Sequence, residues 1–389
     1  MQVSAQEYYA HLYPYEALVA WLTRHGHALE RFEFALEGRS VGGDAIFRRY
    51  VAATTAADLR KQVGGFTGIA AFHIGGIYPE RCNRRDAPTQ RAFSIDIDLT
   101  DYEFLPLNDA AGNVSAELCD RAFPIAAFAI FVLSHLLTRA FGFREILACY
   151  SGRRGAHVHV TDSAALALSN EARCAVTAFM NGSRTEGGAR ASAATRGVAV
   201  MYGLIKPAME AFTRTLVGEM DLFGNCDEIL KFVARLELKS HHELKTLDED
   251  AMMQDTGPEA WALIQSRVRA AGADWSMERL ENAVLAYVWP RMDENVSKST
   301  NHLIKAPFCA HAKSKRIAVA LNASHAAWNP ASAPMLNAWN QTALDDAVSN
   351  FVTTPETSAD IEALVAPPRP PPRKLTFKRK KSPLGAKKY

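Results

Sequence analysis

The sequence predicts a mixed α+β fold: mixed β-sheets flanked by helices, with a helical subdomain inserted into the second half of the chain. Three observations lead there. FSIDIDLTDY and GAHVHV alternate apolar and polar residues with a period of two, the pattern of a strand with one buried face. EALVAWLTRH, MYGLIKPAMEAFTRTLVGEM and PEAWALIQSRVRAAG repeat apolar residues at helical spacing. Hydrophobic residues make up 48% of a chain of 389 residues, enough for the cores of two or three domains.

Taken in order, residues 5–27 read as helices (YYAHLYPY, then EALVAWLTRH), and residues 30–78 as strands around a short helix near Ala57–Val63. The strand of FSIDID comes next, then an apolar helix from Pro124 to Phe141, with proline at its first turn. Ile146–Tyr150 reads as a buried strand, Ser151–Gly155 as a turn, and the residues after it as a half-buried strand. From Asn170 to Ala286 the pattern is almost wholly helical, apart from a Gly/Ser/Thr/Ala-rich loop at Met180–Gly197. Arg316–Leu321 reads as a strand and Asn337–Phe351 as a closing helix. From Pro367 the chain is proline-rich and basic and lacks apolar mass to pack. The expected division is a catalytic core in two parts, 1–165 and 287–360, a helical insertion at 166–286, and a disordered tail at 361–389.

Charge and cysteines narrow the function classes. The net charge is +2, but nine Lys and Arg and no acid follow Glu362, which leaves the rest of the chain at −7. A body of that sign does not hold nucleic acid by a broad positive field, so a template contact must be local and helped by a partner. The run Lys378–Lys381 suits nuclear import or a loose nucleic-acid tether as well as a solvated tail without a role. Cys82, Cys119, Cys149, Cys174, Cys226 and Cys309 form no CxxC pair, so a reduced, intracellular protein is expected. A membrane span, a signal peptide and a mitochondrial presequence are not expected.

Three short blocks carry chemistry. In the first, Asp96 and Asp98 project from one face of a strand while Ile95 and Ile97 anchor the other. Like charges so close repel, and divalent cations such as Mg²⁺ or Mn²⁺ would neutralise them. A solvated edge strand with two surface acids is the alternative. In the second block, YSGRRGAHVHV, the glycines Gly152 and Gly155 bound a turn that carries Arg153 and Arg154, with Ser151 before it and His157 after. Guanidinium forks suit phosphate oxygens; arginines paired with nearby acids are the alternative. The third block, WPRMDENVSKSTNHLIKAPFCAH, offers Asp293 as a third carboxylate, with His302, Lys305 and His311 toward polyphosphate or ribose. Pairing of Asp293 with Arg291 is the plain alternative. Together the blocks fit metal-assisted phosphoryl transfer.

In this order the blocks resemble the small catalytic subunit of the archaeal-eukaryotic type of DNA primase, most closely its eukaryotic form. The resemblance extends to YYAHLYPYEALVAWL, RFEFALEG and IFRRY near the N-terminus, is weakest between about Ser163 and Glu281, and is absent from the tail. It implies synthesis of short RNA primers on a single-stranded DNA template from ribonucleoside triphosphates. It also implies two Mg²⁺ or Mn²⁺ ions, a large iron–sulfur primase subunit and the DNA polymerase alpha complex as partners, and a nuclear location. It assigns Asp96, Asp98 and Asp293 to the metals. Arg49, Ser151, Gly152, Arg153, Arg154, Gly155 and His157, with His302, Leu303, Ile304, Lys305 and His311, fall to the nucleotide.

The chain departs from the pattern in three places. Where the family carries zinc-binding cysteines, EFLPLNDAAGNVSAELCDRAF holds only Cys119, so no usual zinc site is expected. Arg31 stands where the family often has a glutamate, with Glu30 and Glu33 beside it as candidate substitutes. His73 stands where an acid near the ribose is common, so sugar discrimination could differ. Competing readings are a repair or gap-filling polymerase of the same superfamily, a catalytically silent scaffold for the large subunit, and a two-metal nuclease.

Overall fold

The computed structural model describes residues 2–181, 193–237, 244–272, 274–321 and 328–353. The described chain is mixed helix and antiparallel sheet, the α+β class expected from its two periodicities. It forms two compact units. One holds the described residues of 2–103, 107–181 and 289–353; the other holds 104–106 and those of 193–288.

Two four-stranded sheets build the first unit. The strands in chain order are β1 (Phe32–Arg39), β2 (Ala45–Val51), β3 (Ile69–Ile77), β4 (Phe93–Asp98), β5 (Ile146–Tyr150), β6 (Gly155–Val160), β7 (Ile304–Lys305) and β8 (Ala320–Leu321). The first sheet runs β2-β1-β3-β7 and the second β4-β6-β5-β8, all pairs antiparallel. β4 keeps the alternation read from the sequence: Ile95 and Ile97 are buried, and Asp96 and Asp98 stand on the other face, half-buried. β6 does not keep it. Both of its faces are buried, because His157 meets Asp96 and His159 meets Ser94 and Trp21 instead of water.

The helix Ala116–Phe141 packs on the second sheet. It begins eight residues before the expected start at Pro124, which lies inside it. Ser115 sets the beginning, its hydroxyl accepting the Leu118 N–H at the N-cap. This helix is long and apolar enough to cross a membrane, but 72% of its most apolar window is buried in the protein. Its apolar face therefore serves the core.

Of four buried tyrosines near the N-terminus, Tyr8, Tyr9 and Tyr13 fasten the segment that follows β7, and Tyr15 donates to Tyr9 O. Tyr8 donates to Phe308 O at 2.9 Å, Tyr13 to Pro307 O at 2.5 Å, and the Tyr9 oxygen accepts the Ala310 N–H at 3.0 Å. A buried phenol needs such a partner, so the motif YYAHLYPY fixes a distant loop as well as filling core.

In the second unit, helices Cys226–Leu236, Gly257–Ala270 and Asp274–Val288 surround a cluster of Phe212, Phe223, Phe232, Trp261 and Tyr287. Of the expected loop at Met180–Gly197, residues 182–192 lie outside the described residues, while Ala193–Met201 is helix. The expected strand Arg316–Leu321 shrinks to Ala320–Leu321: Arg316 and Ile317 make isolated bridges to Met335 and Ala310 instead. The closing helix runs Gln341–Thr353, and the basic tail lies outside the described residues.

Candidate active site

The site begins at the end of β4. Its register with β6 sets Asp96 opposite His157 and Asp98 opposite Gly155. Gly155 is required there: a Cβ on it would lie 1.9 Å from the Ile97 carbonyl oxygen. The Asp96 carboxylate is 3.5 Å from His157 Nε2, and Arg154 Nε donates to Asp98 Oδ2 at 2.8 Å.

The third carboxylate arrives from far along the chain. The Asp293 N–H donates to the Asp96 carbonyl at 3.1 Å, and its carboxylate caps the short helix Glu294–Lys298 through Asn295 N. That helix is tied once more to β4 and also to the residues just before it. Ser297 donates to Ser94 O at 3.0 Å, and the buried Arg91 donates to Val296 O at 2.7 Å and Ser299 O at 3.2 Å. Arg291 does not pair with Asp293; it pairs with Glu103, bonds Asp101 O and lies over the Tyr102 ring. The Asp293 carboxylate caps the short helix and adds its charge to the edge that Asp96 and Asp98 share. Burial first, then the charges of Asp98 and Asp293, raise the Asp96 pKa to about 6. Asp101 is raised for the same reasons.

Opposite the carboxylates is a basic group. The turn Ser151–Gly155 is closed by Ser151 N–H to Gly155 O at 3.0 Å, and Gly152 has the left-handed φ of 93°. A Cβ on Gly152 would lie 3.0 Å from His311 Cβ, so the turn and His311 meet at close range. Burial, then Lys305, Arg153, Arg154 and Lys313, push the His311 pKa down to about 4. Burial, then Lys305 and His73, push His157 down to about 3. Both imidazoles are neutral at pH 7 in the free chain; His311 stands among cations, while His157 lies between Lys305 and the Asp96 carboxylate. Lys305 sits opposite His73 in the β3–β7 pair, and His73 holds Glu37 at 3.0 Å. His302 has its pKa lowered by burial and by Arg91, with Asp293 and Asp96 acting in the other direction. Leu303 lies over Gly75 beside Ile304.

Arg49 reaches the group from another strand, beside Asn301, and its charge also lowers the His302 pKa. It is on β2, and its fork is taken by Glu33 and Asn301. Arg153 Nη2 leans on Val114 O at 3.3 Å. Arg31, in the place of the expected glutamate, turns away to Tyr78 O at 2.7 Å. Two contributors are not marked in the sequence: Arg91 behind the Asp293 helix and the pair Asp120–Arg316 behind the turn; of the two candidate substitutes beside Arg31, Glu33 is the one that meets Arg49. Burial of a charged side chain leaves no local mark in a sequence.

The donor set suits a hard divalent cation, since three carboxylates adjoin and one of them keeps its proton to about pH 6. Among the described residues, no three Asp, Glu, His or Cys side chains converge closely enough to hold a metal as they stand. Asp98 is engaged by Arg154, Thr100 N and Thr100 Oγ1, and Asp293 by Asn295 N. The carboxylates thus fit a divalent cation in kind; as they stand, Arg154 pairs with Asp98 and the Asn295 N–H with Asp293.

Comparison with known proteins identifies the chemistry. A family profile described as DNA primase small subunit matches residues 95–323. DNA primase small subunit of Drosophila melanogaster is 28% identical over 382 residues, covering 91% of this chain and 85% of that protein. The Schizosaccharomyces pombe protein of the same name is 25% identical over 363 residues (85% and 75%), and that of Caenorhabditis elegans 27% over 343 (81% and 80%). The chain is therefore a nucleotidyltransferase of DNA replication. It belongs to the DNA primase small subunit family, whose members use a divalent metal to make RNA primers from nucleoside triphosphates on a DNA template beside a larger subunit.

Proposed function

We propose that this chain makes short RNA primers on single-stranded DNA by two-metal nucleotidyl transfer at the β4 edge, with Asp96, Asp98 and Asp293 holding two Mg²⁺ or Mn²⁺ ions. The carrying observation is the backbone bond from Asp293 to Asp96, which sets a sequence-distant carboxylate against the Asp96/Asp98 pair. Ions bound there would acidify the attacking 3′-hydroxyl and steady the leaving pyrophosphate. The residues of the chain do the rest. Arg153, Arg154, Lys305 and the Ser151–Gly155 turn receive the triphosphate; with Asp98 holding an ion, Arg154 would be available to the phosphate. His157 and His311, neutral in the free chain, donate or take up protons beside it. His302, Leu303 and Ile304 border the sugar, and Arg49 contributes a fixed charge.

The large iron–sulfur primase subunit and the DNA polymerase alpha complex are the proposed partners, since a body at −7 needs help to hold template and primer. The run Lys378–Lys381 supports a nuclear location. The helical segment 166–286 is proposed as an insertion between the two parts of the catalytic core. A gap-filling polymerase reading finds no support in the matched family.

Primer synthesis from ribonucleotides on single-stranded DNA, without added primer and with the large subunit present and absent, tests this. Asp96→Ala is expected to remove nearly all product while the chain stays folded. Near-normal synthesis by Asp96→Ala would overturn the assignment.

A further inference from the structure

We infer that Glu33 is a positioning residue for nucleotide binding, acting through Arg49. This rests on the assignment of Arg49 to the nucleotide made above.

Glu33 lies on β1 and is 0% exposed. Arg49 clasps it at two points, Nε to Oε1 at 2.8 Å and Nη2 to Oε2 at 3.1 Å. Tyr78 OH donates to Oε2 at 3.2 Å and Tyr50 N to Oε1 at 3.4 Å. The carboxylate is thus filled from four sides, and Arg49 supplies the balancing charge. A two-point fork fixes a guanidinium in plane and in rotamer, as a single contact cannot.

The backbone is bent to make this possible. Phe34 pairs with Val51 but Leu36 pairs with Arg48, so a bulge sets Arg49 and Tyr50 against one residue of β1. Tyr50 has a left-handed φ of 61°, a strained conformation for a bulky residue. Bulges re-aim side chains, and this one turns Arg49 onto Glu33. The floor also makes room: a Cβ on Gly75 would lie 2.9 Å from Glu33 Oε2. Two strands could be joined more cheaply by apolar side chains than by a buried carboxylate and a strained tyrosine.

What the arrangement delivers is a guanidinium held at the entrance to the 301–305 segment. Nη2 of Arg49 also donates to Asn301 Oδ1 at 3.0 Å, and Asn301 precedes His302 and Leu303. The Arg49 side chain remains 29% exposed, so its outer rim is open to an anionic or hydroxyl-bearing substrate. Glu33 is too buried to meet that substrate itself. Arg31 bonds the Tyr78 carbonyl and offers no acid to Arg49.

The test is a double-mutant cycle in the full-length chain with its larger partner subunit. KM and kcat for ribonucleoside triphosphates and the affinity for a fluorescent nucleotide are measured for Glu33→Gln, Arg49→Ala and the double variant. Glu33→Gln is expected to raise KM about tenfold with kcat within a factor of about two, and the double variant to be no worse than Arg49→Ala alone. Costs that multiply in the double variant, or a folded Glu33→Gln with unchanged or tighter binding, would overturn the proposal. Should Glu33→Gln not fold, Arg49→Lys keeps the charge but loses the fork; KM is expected to rise, and an unchanged KM contradicts the inference. The nucleotide-affinity arm reports on Glu33 even if Asp96→Ala keeps its activity, so failure here and failure of the metal assignment are told apart.

Discussion

His311 is neutral in the free chain because it is buried among cations: Lys305, Arg153, Arg154 and Lys313 all hold its pKa down, near 4. An unfolded histidine titrates near 6.5. Between those values the unfolded chain binds more protons, so the contribution of His311 to stability is complete above about pH 6.5 and is lost as pH falls toward 4. A bound triphosphate reverses the local field and favours the imidazolium. Nucleotide binding near pH 6 is therefore expected to take up a proton. Calorimetry in buffers of different ionisation enthalpy reads that uptake; it should vanish in His311→Ala and persist in a distant surface variant. Binding without uptake would mean that the triphosphate does not approach His311.

At this scale the sequence was legible where the rule is local. A period of two set Asp96 and Asp98 on one face without any knowledge of the fold. The third block offers Asp293 as a candidate carboxylate, but its place beside Asp96 depends on a backbone bond across the molecule, which no periodicity encodes. In the sequence Glu33 is one of two candidate substitutes beside Arg31, with nothing to choose it over Glu30. What distinguishes it is complete burial and a bulge in the neighbouring strand, both tertiary facts.

Among the elements, the contact between the Ser151–Gly155 turn and the loop after β7 matters most. Arg316 braces it. Its guanidinium forks onto Asp120 at 2.5 and 2.7 Å and donates to Tyr150 OH at 3.3 Å, while its carbonyl accepts the His311 N–H at 2.8 Å. Tyr150 in turn donates to Arg153 O, and Ser314 to Gly152 O. Asp120 lies near the start of the long helix, next to Cys119, in the stretch where a cysteine cluster would be expected from the resemblance. Both partners are mostly buried, with side chains 11% and 15% exposed. Removing one leaves a buried charge, so Asp120→Ala is expected to cost about 3 kcal/mol in urea unfolding and to weaken triphosphate binding. Loss of stability without any change in nucleotide affinity would restrict the pair to holding the fold.

Gly155→Ala offers a sharper test of the β4–β6 register. Its Cβ would sit 1.9 Å from a backbone oxygen, a clash that no rotamer relieves. The variant is expected to lose primer synthesis and to melt at lower temperature; normal activity would show that the two strands are not held at this spacing. Element boundaries were the least legible part of the sequence. Pro124 marked a helix start that Ser115 had already set, because proline is tolerated where the helix can forgo one N–H. Alternation records polarity, so GAHVHV predicts a half-buried strand, whereas its polar histidines are buried in β6.

At the scale of the whole molecule, the sequence foretold the class of fold because two periodicities occupy long separate stretches. It did not foretell how the two sheets are stitched. That depends on Tyr8 and Tyr13 reaching carbonyls at 307–308, and on a short helix tied by Ser297 to β4 and by Arg91 to the residues before it. These long-range bonds bring the third chemical block to the first, and with it the acids on which primer synthesis is proposed to depend. Binding of Mn²⁺, followed by electron paramagnetic resonance with nucleotide present, tests that directly. Asp293→Asn is expected to weaken the ion's affinity by at least about tenfold, as Asp96→Asn and Asp98→Asn should. Unchanged Mn²⁺ affinity in a folded Asp293→Asn chain would contradict a cation shared by the three carboxylates.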